Sequence, residues 1–376
     1  MKKVMQKEPT RIKEARARLI RLPVNPPATD AVNCFDVQEI ILTTLRDESG
    51  NSGSGFGYTI GRGGSTVLEL LRAELLPRVL GQDSRFITRI GRGLKADINT
   101  VSSGCIPLNA LASIDVALWD LAGKRLGQPV YQLFGGAKTE VPIYNTDVGW
   151  LNRELDEMLE LCREALARGF RAVKLKLGKP DAAEDVERVA KVRETVGPHI
   201  DIMADANTAW KTDEAIRRLK RLVPYDLVWI EEPIRVHHIQ DYQELKKHID
   251  IPIAGGESLS TAADFYEFAR LRAFDIFQPD VARVGGLTNA IEICSLANSA
   301  GIRVAPHVSP ELSLVVAAAV ENSFYIEYIP QMEPILKHRI EVKDGVAHAP
   351  AAPGTGIPFD EEMLDRYEVK EYALAA

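Results

Sequence analysis

Short apolar runs recur along the second half of the chain, and each ends at or beside a charged side chain. AVKLK closes on Lys176, IDIMAD on Asp205, LVWIE on Glu231, and IPIAGG leads into Glu257. FDIFQP precedes Asp280, IRVAPH closes on His307, and FYIE carries Glu327. The intervals between these residues are 29, 26, 26, 23, 27 and 20 positions, the length of one strand, one helix and two short loops. Continuous apolar runs of this kind mark parallel strands buried on both faces. In a β/α barrel, residues at the C-terminal strand ends line the mouth where active sites form.

The remaining segments fit around that ring. PIYNTDVG, near Val141, reads as the first strand, which makes eight strands between residues 141 and 329. Helical periodicity fills the gaps, from ELDEMLELCREALARG to SLVVAAAVEN. Upstream, IKEARARLIRLPV and DVQEIILTTLRD read as strands, the second followed by a hairpin turn in DESGNSG. Pro23 to Asn33 reads as a loop. Gly53 to Gly64, with Phe56, Tyr58 and Arg62 among many glycines, is expected to be a mobile lid rather than a core strand. STVLELLRAELLPRVLG and NALASIDVALWDLAGKRLG are helices, the latter long, mostly buried and ended by glycine. Residues 12–135 thus make an α+β domain with strands first and helices after. The final segment holds a short hairpin, HRIEVKDGVAHAP, and is expected to return to that domain; residues 1–10 read as a loose tail. The expected divisions are 1–135, 136–332 and 333–376.

A chain of 376 residues favours two domains. A net charge of −7 leaves no basic footprint for nucleic acid or an anionic membrane. Cys34, Cys105, Cys162 and Cys294 are isolated, with no CxxC pair, and are expected to be small buried apolar residues in a reducing compartment. The basic N-terminal stretch lacks an apolar core and contains Glu8 and Glu14, and the longest purely apolar run, Leu314 to Val320, is too short to span a bilayer. A cytoplasmic protein is the expectation.

Asp205, Glu231 and Glu257 end three consecutive strands, so they should converge. Any one of them alone would be an ordinary solvated charge. Three together repel unless a cation sits between them, and carboxylate oxygens suit Mg²⁺. Glu232 should point to the other face as a structural carboxylate. Lys174 and Lys176 alternate with Val173, Leu175 and Leu177, so both face the barrel interior, where each should depress the other's pKa toward that of a general base. Asp280 beside His307 would fix the imidazole tautomer and raise its basicity. Glu327 could hydrogen-bond a substrate oxygen if its neighbours keep it protonated, and Asn207 could hold a substrate carboxylate.

The runs VKLKLG, IMADANTAW, WIEEP, GGES, QPDVARVGG and APH, with the helix ASIDVALWDLAGKRLGQPVYQLFGG, resemble the mandelate racemase subgroup of the enolase superfamily. The resemblance extends from about Ile12 to Tyr367. It implies an α+β capping domain, formed by the N-terminal part and the C-terminal tail, over a modified TIM barrel of (β/α)7β form. It also implies one Mg²⁺ per active site, held by Asp205, Glu231 and Glu257. Lys176 would be the base on one face of the substrate, and the His307–Asp280 dyad the acid/base on the other. Lys174 and Asn207 would hold the substrate carboxylate, Lys174 would help keep Lys176 deprotonated, and Glu327 would stabilise the enediolate. Thr146, Arg62 and Tyr58 complete the expected substrate-binding set, and a homo-oligomer is implied.

The same residues serve epimerisation and dehydration, so the barrel alone does not decide the reaction. Asn25, Thr29, Asp30, Asn33 and Arg62 on the capping loops suit a polyhydroxylated acid, and PDVARVGG and VWIEEP are most similar to acid-sugar dehydratases. The expected reaction is dehydration of an aldonate or aldarate to a 2-keto-3-deoxy acid, with racemisation or cycloisomerisation as the alternative. A non-catalytic binding barrel would have lost a metal ligand or base, and none is lost.

Overall fold

Ile12–Thr29 (β1), Cys34–Asp47 (β2) and Ser52–Thr59 (β3) form an antiparallel meander, and the C-terminal strand Glu368–Ala375 pairs with the free edge of β1. The computed structural model describes residues 10–99 and 104–375, so the expected tail lies outside the described residues except for Thr10. Asp47 closes the β2–β3 turn by accepting from the backbone N–H of Asn51 at 3.0 Å. Arg18 on β1 is 2% exposed and pairs with Glu361 at 3.1 Å, Asp365 at 2.5 Å and Glu368. These bonds tie the returning C-terminal segment to the meander.

Two expectations for this domain are overturned. The loop expected at Pro23–Asn33 is mostly strand: β1 runs on to Thr29, with its register to β2 interrupted between Pro23 and Ala28. Pro26 and Pro27 have no N–H to give the ladder, so pairing lapses there and then resumes. The expected lid is a buried strand over residues 52–59. Gly53, Gly55 and Gly57 face the helix Cys105–Leu126, and a Cβ on them would stand 2.2 Å from Ala117 O, 2.3 Å from Ala117 N and 2.5 Å from Asn109 O. Glycine is required because sheet and helix meet backbone to backbone.

That helix ends at Gly127 with φ 65°, as its sequence suggested. It is long and apolar enough to cross a membrane, but 83% of its most apolar window is buried in the protein. Its apolar surround follows from its position between the meander and the barrel, where Trp119 Nε1 donates to Thr288 Oγ1 at 2.9 Å.

The barrel strands are Glu140–Gly149 (β4), Ala172–Lys176 (β5), Asp201–Asp205 (β6), Leu227–Glu231 (β7), Ile253–Gly255 (β8), Ile276–Phe277 (β9), Arg303–Val304 (β10) and Ile326–Tyr328 (β11). They pair in parallel from β4 through β10, and β11 pairs with β4. Backbone bonds from Val304 N to Asn322 O (2.9 Å) and from Phe324 N to Val304 O (2.7 Å) close the ring. Seven helices, from Leu155–Ala167 to Pro310–Ala319, cover the outside.

The interior is layered by the period of two along each strand. Tyr144, Ala172, Met203, Trp229, Ala254, Ile276, Ala305 and Tyr325, one from each strand or its margin, form an apolar floor. Two residues further on, Lys174, Asp205 and Glu231 stand above it. Cys162 and Cys294 are buried as expected; Cys34 and Cys105 are exposed because they open a strand and a helix at the surface, and all four thiols are free.

Candidate active site

Lys176, Asp205 and Glu231 lie side by side because β5, β6 and β7 pair in register at these positions. Lys174 is fully buried; its Nζ donates to Glu231 Oε2 at 2.8 Å and lies 2.7 Å from Glu327 Oε1. Lys176 Nζ donates to Asp205 Oδ2 at 2.6 Å. Burial pulls both lysine pKa values down, but the carboxylates around them outweigh burial and raise both. Lys174 does lower Lys176, as the sequence suggested, but Asp205 and the other carboxylates outweigh it, so the net shift is upward. Burial, and then Asp205, raises Glu231 to about 7.

The opposite wall holds the imidazole. His307 Nδ1 lies 2.9 Å from Asp280 Oδ2, and Nε2 lies 2.9 Å from Glu257 Oε2. Burial opposes the charged ring, but Glu257 and Asp280 dominate and raise His307 to about 10. Asp280 is held in turn by the backbone N–H groups of Ala282 and Arg283, and by the hydroxyl of Tyr58, which donates to Oδ2 at 2.5 Å. Arg283 donates to Glu257 Oε2 at 3.0 Å and stands 3.6 Å from Asp280 Oδ2. Burial would raise Glu257, yet His307 and Arg283 keep it well below the usual carboxylate range.

Glu327 departs from its expected state. Thr146 Oγ1 donates to its Oε1 at 2.6 Å, and the N–H of Val308 donates to Oε2 at 3.0 Å. Burial favours protonation, but Lys174, His307 and Lys176 outweigh it and bring the pKa to about 2. These neighbours therefore favour the ionised carboxyl over the protonated one.

A pocket opens over this ring, lined by Lys176, Asn207, Glu257, His307 and Tyr58 among others. Three residues expected to bind substrate are elsewhere. Lys174 is sealed beneath Glu231 and Glu327, and Thr146 is fully buried against Glu327. Arg62 is exposed outside the lining, because its segment leaves the meander toward solvent. Sequence reasoning missed Arg283, Gln278 and Trp150. Arg283 lies in the quoted run QPDVARVGG, three positions after Asp280, which was the available signal. Gln278 Nε2 donates to Glu231 Oε2 at 2.7 Å, and Lys176 Nζ sits 5.6 Å from the centre of the Trp150 ring.

The donor set fits a hard divalent cation. Glu231 Oε1 and Asn207 Oδ1 are buried without a hydrogen-bond partner, which marks oxygens awaiting a cation or polar ligand. Atoms of Glu231, Glu257 and His307 lie within 4.8 Å of one another. Asp205 stands in register beside Glu231, its Oδ1 accepting from Asn207 N at 2.8 Å. A carboxylate oxygen is a harder donor than an imidazole nitrogen, so Asp205 suits a hard cation better than His307 does.

A capped (β/α)7β barrel, with lysine and an Asp–His pair on different sides of a carboxylate-ringed pocket, defines an enolase-type enzyme. The chain belongs to the mandelate racemase/muconate lactonizing enzyme family: residues 12–135 match its N-terminal domain, and residues 157–363 match the enolase C-terminal domain-like family. It is 33% identical over 363 residues to 3,6-anhydro-alpha-L-galactonate cycloisomerase of Streptomyces coelicolor, covering 95% of this chain and 99% of that protein. The crystal structure of L-talarate/galactarate dehydratase from Salmonella typhimurium superposes with a TM-score of 0.94 at 30% identity, over 98% of this chain and 94% of that one. L-Talarate dehydratase from a Polaromonas species, complexed with Mg and L-glucarate, gives 0.90 at 32% identity over 97% and 99%.

Proposed function

We propose that this protein is a Mg²⁺-dependent acid-sugar dehydratase that removes the proton α to a carboxylate and expels the β-hydroxyl. The observation that carries the reading is the placement of Lys176, at the end of the second strand of the ring, and His307, just past the seventh, facing one pocket beside three acidic strand ends. Relatives with these folds are named as dehydratases and as a cycloisomerase, and one is complexed with Mg and L-glucarate.

Asp205, Glu231 and Glu257 are the residues that would hold the metal. When bound, Mg²⁺ supplies positive charge that offsets these carboxylates and the negative charge developing on the substrate carboxylate. Lys176 takes the α-proton from one face. Asp280 holds His307 Nδ1, and Nε2, which stands beside Glu257 at the pocket, protonates the departing β-hydroxyl. Water leaves, and the enol tautomerises to the 2-keto-3-deoxy acid. Lys174 and Thr146 act from beneath, anchoring Glu231 and Glu327, while Asn207 Oδ1 and Tyr58 face the substrate. If His307 instead protonates the α-carbon, the product is the epimer. The polar capping residues Asp30 and Asn33 at the pocket favour the dehydration reading. The capping domain is drawn from residues 1–135 and 333–376, and the barrel from 136–332, except that within the last segment Val346–His348 pairs with barrel strand β4 rather than with the cap, which Glu368–Ala375 joins. The enzyme is assigned to the cytoplasm as a homo-oligomer, to be checked by light scattering.

The deciding experiment incubates the Mg²⁺-loaded enzyme in D₂O with a panel of acid sugars. Formation of 2-keto-3-deoxy acid supports dehydration; deuterium at the α-carbon without loss of water would move the assignment to epimerisation. Neither outcome with any acid sugar would refute the reading.

A further inference from the structure

The pocket's charged side chains are unevenly distributed. Among the described residues that line it, the barrel supplies every cation, and each is already matched by carboxylates. Lys176 is bonded to Asp205, and Arg283 stands between Glu257 and Asp280. The wall contributed by the capping meander and the segment after β11 has a different character. Its polar members are Asn33, Gln331 and Asp30, and its apolar members include Phe35, Ile60 and Ile329. Asp30 is an acid whose Oδ1 accepts from the N–H groups of Val32 and Asn33 at 2.8 and 2.7 Å. Arg62, the cation nearest in sequence to this wall, is exposed outside the pocket.

This distribution bears on the length and ends of the substrate. A carboxylate brought out of water needs a cation or several donors, and without them it is rejected. The substrate's reacting carboxylate has a cation site and Lys176. A second carboxylate reaching the capping wall would meet two neutral amides, the apolar side chains of Val32, Phe35, Ile60 and Ile329, a Tyr58 hydroxyl already given to Asp280, and the acid Asp30. A hydroxymethyl group would meet the same wall without penalty, since amides and Asp30 can bond a neutral hydroxyl. An unpaired charge held against one class of ligand is how a site rejects a near-identical competitor.

We propose that the enzyme acts on monocarboxylic sugar acids, the aldonates, and discriminates against the corresponding aldarates at the far end of the chain. The inference rests on the acid-sugar reading above. It is tested with matched pairs that differ only in the terminal carbon, such as galactonate and galactarate, or gluconate and glucarate. The Mg²⁺-loaded enzyme is assayed for 2-keto-3-deoxy acid and for α-deuterium exchange. In the pair it accepts, the aldonate should exceed the aldarate in kcat/KM by about tenfold or more, the low end of the cost of an unpaired polar group, because Val32 and Asn33 leave the wall partly open to water. Placing a cation in the wall with Gln331→Lys should narrow that ratio about tenfold.

An aldarate turned over as well as or better than its aldonate overturns this inference and leaves the dehydratase reading standing. A ratio unmoved by Gln331→Lys, in a variant that still folds and turns over the aldonate, also overturns it, because the far end would then not lie against this wall. If no member of any pair exchanges or dehydrates, the acid-sugar reading fails and this inference fails with it.

Discussion

Tyr58→Phe separates the two sides of the pocket with the loss of one oxygen. The Tyr58 hydroxyl donates to Asp280 Oδ2 at 2.5 Å, the same oxygen that faces His307 Nδ1 at 2.9 Å. The ring is 5% exposed, so phenylalanine keeps the packing. A hydrogen bond to a charged acceptor contributes about 1.5–3 kcal/mol, and each 1.36 kcal/mol is about tenfold in rate. If most of that loss reaches the step in which His307 transfers its proton, dehydration should slow by about 10- to 100-fold. Lys176 is bonded to Asp205, not to this network. Exchange of an α-hydrogen that faces Lys176 should therefore stay within about threefold of wild type. The assay follows product formation and α-deuterium incorporation in D₂O on the same Mg²⁺-loaded sample, with a thermal melt as a control for folding. Equal losses on both sides would mean general distortion, and unchanged turnover would mean that Tyr58 does not support the dyad. Either result refutes the reasoning.

Other outcomes follow from the same geometry. EDTA should abolish turnover, Mg²⁺ should restore it and raise the melting temperature, and Glu231→Gln should lose both effects. Full activity with chelator present would remove the metal assignment. His307→Asn should block dehydration while leaving exchange at the Lys176 face, and Lys176→Ala should show the reverse preference; loss of both exchanges in both variants would argue for a coupled site. Gly55→Ala should destabilise by at least about 1–3 kcal/mol in chemical denaturation, because the new methyl meets backbone at 2.3 Å. Glu311 is buried with Oε2 unpartnered, and burial raises its pKa from 4.5 to about 7. Its folded pKa lies above the unfolded one, so the stability it contributes is complete below pH 4.5 and is lost as pH rises through 7. Glu311→Gln should therefore stabilise the protein by up to about 3 kcal/mol at pH 8 and by far less at pH 5; a gap independent of pH would contradict this.

The barrel was readable because its code is local. A strand covered on both faces must be apolar along its length, so a charge at its end stands out. Lys176, Asp205 and Glu231 could be placed side by side from spacing alone. Their protonation could not, because it depends on which carboxylate meets which ammonium, and strand register decides that. Glu327 illustrates the point: its ionised state follows from Lys174, a residue 153 positions away in the chain. The capping domain was harder. Glycines at 53, 55 and 57 read locally as freedom, whereas their cause is a helix more than 50 residues downstream. Arg62 was singled out for its charge, but nothing local to it in sequence shows that its segment turns away from the pocket.

Those three glycines also act as an end stop. On β3 the side chains alternate, so Gly57 rests on the helix while Tyr58 extends the other way, to Asp280. With no side chains on the strand's side of the contact, sheet and helix are as close as they can be. Substitution can only push them apart and cannot draw them closer. The reach of the Tyr58 hydroxyl to the dyad is thus measured from a fixed datum behind the sheet, and an offset of about 1 Å in a reacting group can cost about 100-fold in rate. The pocket-lining segments at Asp30–Asn33 and around Gln331 are not part of that gauge. A line of this enzyme can change what it accepts at those segments while the distance from cap to dyad stays set.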